Sequence, residues 1–194
     1  MIIIGVDEAG RGPLVGSVVA AAVAFPANFQ IDGLTDSKKL SEKKREELYA
    51  QIITECCWAS AESNSIEIDE INILQATMMA MKRAVNALQH QLMSQTQEQG
   101  LKVLVDGNRC PDVKNCEAII KGDLIEPVIS AASIIAKVTR DRQMKELDQI
   151  YPEYGFSKHK GYGTKEHLEA LVKHGPIGGK HRFTFGPIKR LVRS

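Results

Sequence analysis

The chain has 194 residues, 43% of them apolar, 25% charged and 5% aromatic, with 25 Lys plus Arg against 24 Asp plus Glu. An apolar fraction that high, with charges so nearly balanced, excludes a disordered chain. The longest apolar runs, such as Val18–Phe25, fall far short of the roughly 20 residues a membrane span needs, and no basic stretch followed by an apolar one opens the chain.

Ile2–Asp7 is rich in β-branched residues and leads into the glycine-rich turn Ala9-Gly10-Arg11-Gly12-Pro13. Gly16–Phe25 is a second strand-like run, and the short connection predicts an antiparallel hairpin. Ser41 reads as the cap of a helix with Leu48, Ile52 and Ile53 on its apolar face. Cys57–Glu62 reads as a third strand. Ile68–Leu92 reads as a long helix, with Ile71, Leu74, Met78, Met81, Val85 and Leu88 at three- or four-residue steps. Gln89–Gln99 is its polar, frayed end.

Leu101–Val105 and Ala118–Lys121 are short strands closed by Asp106-Gly107 and Gly122-Asp123. Pro127–Ile150 is a helix whose first half carries small residues suited to close packing on a sheet. After Tyr151-Pro152, glycine, histidine and lysine dominate, and Lys165–His174 is a short helix within that region. This order predicts an α/β fold with a central mixed β-sheet flanked by helices. With no repeat and no long linker, one domain over residues 1–194 is expected: an α/β core over 1–154 and a basic, helix-containing segment over 155–194. The four cysteines have no zinc-site spacing and read as reduced thiols of a cytoplasmic protein.

The acidic residues Asp7-Glu8, Asp106 and Asp123 share one local setting, a strand end beside glycine. Loops at such ends line binding crevices in α/β sheets. Carboxylates gathered there repel one another unless cations bind, and oxygen ligands suit Mg²⁺ or Mn²⁺. Two such ions could clamp a phosphodiester for in-line displacement. Neighbouring strand residues point to opposite faces, so Asp7 and Glu8 share a site only if the chain bends at Glu8. Taken singly, each acid also reads as an ordinary turn or cap residue. Asp141 reads as an ion-pair partner of the adjacent Arg140 and Arg142, and Asp36 as a turn residue before the Ser41 cap.

Asp7-Glu8-Ala9-Gly10-Arg11-Gly12-Pro13, followed by Gly16, resembles the opening signature of bacterial type 2 ribonucleases H (ribonuclease HII). Five further motifs follow in the family's order: Asp36-Ser37-Lys38-Lys39-Leu40-Ser41, Val105-Asp106-Gly107, Lys121-Gly122-Asp123, the run from Ile129 to Asp141, and His159-Lys160-Gly161-Tyr162-Gly163-Thr164-Lys165-Glu166-His167. Gly175-Pro176 and the run His181–Pro187 complete the pattern. The resemblance spans nearly the whole chain.

It implies a ribonuclease H-like fold and endonucleolytic cleavage of RNA in RNA–DNA hybrids, including a single ribonucleotide embedded in duplex DNA. By motif matching, Asp7, Glu8, Asp106 and Asp123 hold two Mg²⁺ or Mn²⁺ ions, and hydrolysis leaves a 3′-OH and a 5′-phosphate. Gly10-Arg11-Gly12 corresponds to the reader of the ribose 2′-OH, Tyr162 to the tyrosine packing on the deoxy sugar at an RNA–DNA junction, and Lys38 to a phosphate contact. Glycine lets backbone groups approach the 2′-OH, the one atom that separates RNA from DNA at that sugar. Type 1 and type 3 ribonucleases H and resolvases would share the acids but not the Gly-Arg-Gly reader, and a non-catalytic nucleic-acid-binding module would have no use for all four acids. Departures are confined to Gly163 and Thr184. Residues 188–194 do not resemble a clamp-binding peptide, so no sliding-clamp partner is expected, and neither is a membrane; a monomer is.

The formal charge of +1 hides a division. Residues 1–154 carry 16 basic against 22 acidic residues, and residues 155–194 carry nine against two. The basic end is expected to form one wall of a duplex-binding groove, a division that a net sum conceals.

Overall fold

The computed structural model describes residues 1–34, 37, 39–93 and 100–193. Asp36 and the glutamine-rich stretch 94–99 lie outside the described residues. Five strands form one sheet: β1 (Ile2–Ala9), β2 (Val18–Ala24), β3 (Cys57–Ser63), β4 (Leu101–Asp106) and β5 (Cys116–Ile119). Their spatial order is β3-β2-β1-β4-β5. β1 pairs antiparallel with β2, as the short turn predicts, and β2 antiparallel with β3. β1, β4 and β5 run parallel, so the sheet is mixed.

Alternation along β1 sorts its side chains between two helical layers. Ile4 and Val6, with Val18, Ala20, Ala22, Val103 and Val105, face α2 (Ser65–Met93), which brings Ile68, Met81, Val85 and Leu88. The other face carries Ala21, Val23 and Leu104 against α1 (Glu42–Glu55) and α4 (Pro127–Ile150). α1 starts where its sequence announces it: Ser41 Oγ accepts the Lys44 N–H at 3.2 Å. The small residues of α4 let it lie close over the sheet. A Cβ on Gly5 would sit 2.3 Å from the Val128 carbonyl carbon and 2.5 Å from the Ile129 nitrogen. Backbone cannot swing aside as a side-chain tip can. Gly5→Ala is therefore expected to destabilise by about 3 kcal/mol or more, read as a fall in the urea midpoint.

α2 contains a kink that periodicity does not reveal. Asn72 has φ 69° inside it, and its side-chain oxygen accepts the N–H groups of Leu74 and Gln75, restarting the helix. The cysteine expectation is corrected in part: Cys110 and Cys116 form a disulfide, because the β4–β5 connection folds back and brings their Cα atoms to 6.0 Å. Cys56 and Cys57 are thiols, and burial pushes Cys56 up to about 12.

α3 (Gly122–Ile125) follows β5, and three further helices shape the basic end: α5 (Phe156–His159), α6 (Lys165–His174) and α7 (Gly186–Arg193). Only α6 is legible from sequence; α3 and α5 are four residues long, too short to show a period. This segment packs on the end of α4 through its own cluster, with Leu14, Met144, Tyr154, Phe156, Leu171 and Ile188. His167 and His181 are enclosed beside it, at 0% and 1% exposure. Burial, and for His181 also the neighbouring His167, lowers both imidazoles, His181 to about 4. The unfolded chain takes up those protons near pH 6.5, before the folded chain does. Their contribution to stability is thus complete above pH 6.5 and is lost as pH falls toward about 4. In urea titrations the unaltered chain should lose more stability between pH 7 and 4.5 than His181→Gln; parallel losses would contradict this.

Candidate active site

The parallel pairing of β1 with β4 runs from Ile2↔Leu101 to Val6↔Val105. The next residue on each strand is acidic, Asp7 and Asp106, so the register itself sets the two carboxylates side by side at the C-terminal ends of the central strands. A cleft of about 260 Å³ opens there. Asp7, Glu8 and Asp106 line it, together with the Gly10-Arg11-Gly12 segment and the Tyr162 ring. Both Asp7 and Glu8 contribute without the bend expected at Glu8: the ladder to β2 continues through Glu8↔Ala20 to Ala9↔Val19. β1 outruns its pairing with β4, which leaves the Glu8 side open at the sheet's end.

Asp7 is 6% exposed. Its carboxylate accepts the Glu8 N–H at 2.7 Å and a hydrogen bond from the Ser133 hydroxyl. Burial, and then the charges of Glu8 and Asp106, hold its pKa well above the usual carboxylate range. Burial also raises Glu8, opposed by Arg11, whose guanidinium lies 3.5 Å from the Glu8 carboxylate. Burial and neighbouring negative charge thus oppose ionisation of Asp7 and Glu8 in this partly enclosed cleft. That is the electrostatic setting a divalent cation relieves, and all the donors are hard oxygens. Among the described residues, no three carboxylate, imidazole or thiol groups stand close enough to form a ready-made metal cage. Asp123 is not part of the cleft lining. It sits in the first turn of α3 rather than at a strand end, and its N–H reaches the Asp106 carboxylate at 3.4 Å. Lys38 lies outside the described residues.

Several cleft residues escaped the sequence reading. Ser133, Lys137 and Arg140 all line it, at four- and three-residue steps on one face of α4, a period that could have grouped them. Ser37 Oγ lies 2.8 Å from Ser133 Oγ. Lys137 pairs with Asp141, which corrects the expected partners of that acid: Arg142 pairs with Glu46 instead, and Arg140 is buried on backbone carbonyls.

Arg182 also departs from expectation. It is one of the nine basic residues assigned to a groove wall, yet it is 0% exposed. Its guanidinium donates to four carbonyls of the glycine-rich turn: Gly10 at 2.6 Å, Pro13 at 2.8 Å, and Arg11 and Gly16 at 3.0 Å. Across trans peptides, N–H and C=O point in opposite directions. The N–H groups of Arg11 and Gly12 therefore point away from Arg182. Arg140 supports the same turn from α4, bonding the Val15 and Ser17 carbonyls. A side chain on Gly10, at φ +96°, would strike Arg140 Nε at 2.0 Å. Burial lowers the two guanidinium pKa values, to about 10 for Arg140 and about 9 for Arg182. Lys158 and Lys165 are held in ion pairs with Glu166 and Glu169.

Acids at the C-terminal ends of two central parallel strands, on a mixed five-stranded sheet covered by helices, define a nuclease of the ribonuclease H fold. The ribonuclease H2 of Pyrococcus horikoshii superposes with a TM-score of 0.77 at 28% identity, covering 100% of this chain and 98% of that one. Bst-RNase HIII, solved in complex with Mn²⁺, shares the fold with a TM-score of 0.76 at 16% identity, over 100% of this chain and 70% of that one. A family model described as Ribonuclease HII matches residues 4–186. The Ribonuclease HII of Acinetobacter baylyi is 56% identical over 194 residues, which cover 98% of each chain. The chain belongs to the ribonuclease HII family, nucleases that cleave the RNA of RNA–DNA hybrids. No helix among the described residues is long and apolar enough to cross a membrane.

Proposed function

We propose that this enzyme, acting as a monomer in the cytoplasm, cleaves RNA–DNA hybrids and also duplex DNA at a single embedded ribonucleotide, leaving a 3′-OH and a 5′-phosphate. The observation that carries this reading is the meeting of three acids, the glycine-rich turn and Tyr162 in one cleft. Asp7, Glu8, Asp106 and Asp123 would hold two Mg²⁺ or Mn²⁺ ions. When bound, such ions supply a nucleophilic water at neutral pH and charge stabilisation for in-line displacement.

The protein's own groups select the phosphodiester. The Arg11 and Gly12 amides, turned away from the Arg182 clamp, present donors to a 2′-hydroxyl. The Tyr162 ring, half exposed and beside Gly12, packs on the next sugar only where no 2′-hydroxyl crowds it. Ser133 orients Asp7 through its hydrogen bond. Lys38, on motif grounds alone, contacts a backbone phosphate, and the exposed lysines and arginines of residues 155–194 hold the duplex.

The test is cleavage of matched duplexes with zero, one or four ribonucleotides, with Mg²⁺, Mn²⁺ or a chelator. Cleavage of the one- and four-ribonucleotide duplexes, only with metal, is expected. Activity confined to four would reject the single-ribonucleotide reading, and cutting of the all-DNA duplex would favour a resolvase. Tyr162→Ala should lose roughly tenfold in preference for the RNA–DNA junction; an unchanged preference would remove Tyr162 from recognition.

A further inference from the structure

Three histidines stand beneath the Tyr162 loop and take no part in the chemistry above. Their hydrogen bonds leave each ring a single neutral tautomer. An amide N–H can only donate, so the 2.8 Å contact from Ile177 N–H makes His181 Nδ1 an acceptor. Neutral His181 then carries its proton on Nε2 and donates to His167 Nε2 at 3.2 Å. His167 is left with its proton on Nδ1 and donates to the Tyr162 carbonyl at 2.9 Å. The chain runs one way, from Ile177 through two buried rings to Tyr162.

His159 is fixed likewise: its Nδ1 accepts the Gly161 N–H and its Nε2–H donates to the Tyr154 carbonyl. It stacks on His167 with centroids 4.6 Å apart. The other carbonyls of the loop are also held, Lys160 by Arg140 and Gly161 by the Leu14 N–H. The Tyr162 side chain, in contrast, is 49% exposed, so core packing does not place it. Its ring inherits its position from its backbone. The margin is small, since a Cβ on Gly12 would lie 3.2 Å from Tyr162 Cε1.

We propose that the His181–His167 pair is a positioning device for Tyr162, setting the gap between its ring and the glycine-rich turn and with it the enzyme's preference for an RNA–DNA junction. This rests on the reading of Tyr162 as the sugar-packing residue. The device needs both rings neutral. A proton added on His181 Nδ1 would face the Ile177 N–H, and one on His167 Nε2 would face the His181 N–H. Burial favours the neutral form of both rings, aided for His167 by His159 stacked on it and for His181 by His167, while the Tyr154 ring lies 5.5 Å from His181 with His174 beyond it.

Two measurements test it. Imidazole ¹⁵N shifts of the intact protein should report the proton on Nε2 in His181 and on Nδ1 in His167; the reverse arrangement overturns the proposal. The second compares His167→Asn, whose amide can place a donor where Nδ1–H stands, with His167→Gln, which reaches the Nε2 position and offers none at Nδ1. The readout is the ratio of cleavage at a single-ribonucleotide junction to cleavage within a continuous RNA strand. Gln should lower that ratio roughly tenfold and Asn preserve it. Equal ratios, or a uniform loss on both substrates, would show a merely structural pair. Tyr162→Ala is run alongside. If it lowers the ratio while His167→Gln does not, this proposal fails and the Tyr162 reading stands; if it leaves the ratio unchanged, the Tyr162 reading itself fails.

Discussion

Asp7→Asn should lower kcat on a single-ribonucleotide duplex by on the order of 10³-fold, the scale seen when one preorganised electrostatic group is lost from a site. The same change should make the protein more stable, by about 1 kcal/mol. Both follow from one fact. Asp7 is a nearly buried carboxylate facing Glu8 and Asp106, so its ionised form is opposed by burial and by two like charges. Asparagine keeps an oxygen to accept the Glu8 N–H, now at 2.7 Å, and removes the charge. The substitution also separates catalysis from folding through metal linkage. Millimolar Mg²⁺ should raise the melting temperature of the unaltered chain and leave that of Asp7→Asn nearly fixed, since only a native-state site stabilises by binding. Near-normal turnover of Asp7→Asn at saturating Mg²⁺ would withdraw Asp7 from the metal site.

Arg182→Met is expected to cost about 3 kcal/mol, measured by urea unfolding, and to abolish discrimination between ribose and deoxyribose at the cleft. Removing the guanidinium orphans the carbonyls of Gly10, Arg11, Pro13 and Gly16. Each such loss carries a penalty of about 1–3 kcal/mol. Relief from burying an unpaired cation offsets part of that, since burial has already brought the Arg182 pKa down to about 9. Freed of the clamp, the glycine-rich turn can rotate its peptides, and the Arg11 and Gly12 amides lose their direction. Arg182→Lys should fare little better. An ammonium offers three donors from one point, where the fork reaches four carbonyls spread over seven residues. Wild-type behaviour of the lysine variant would mean that charge alone, and not the fork, holds the turn.

Much of this was legible along the chain. The helix at 127–150 shows in its start at proline and its small-residue half, and Ser41 announces α1, because caps and periodicity are local properties. The four acids and the glycine-rich turn were visible as motifs for the same reason: each is contiguous. Arg182 was read as a groove cation, since a basic residue in a basic segment has no local mark of burial. The Asn72 kink and the Cys110–Cys116 bond were missed because one depends on a single left-handed residue and the other on a loop folding back.

Sequence alone determined the chemistry on offer: hard-oxygen acids at strand ends, a turn without side chains, and a tyrosine in a basic segment. Tertiary structure decided the assembly. Parallel pairing of β1 and β4 ends one residue before both acids, and that register puts Asp7 beside Asp106 across 99 positions of sequence. Arg182 reaches back some 170 residues to orient the turn, and the buried histidines tie Tyr162 to Ile177. Register, burial and long-range hydrogen bonds are relations between distant residues, created when the chain packs, and no stretch of sequence contains them.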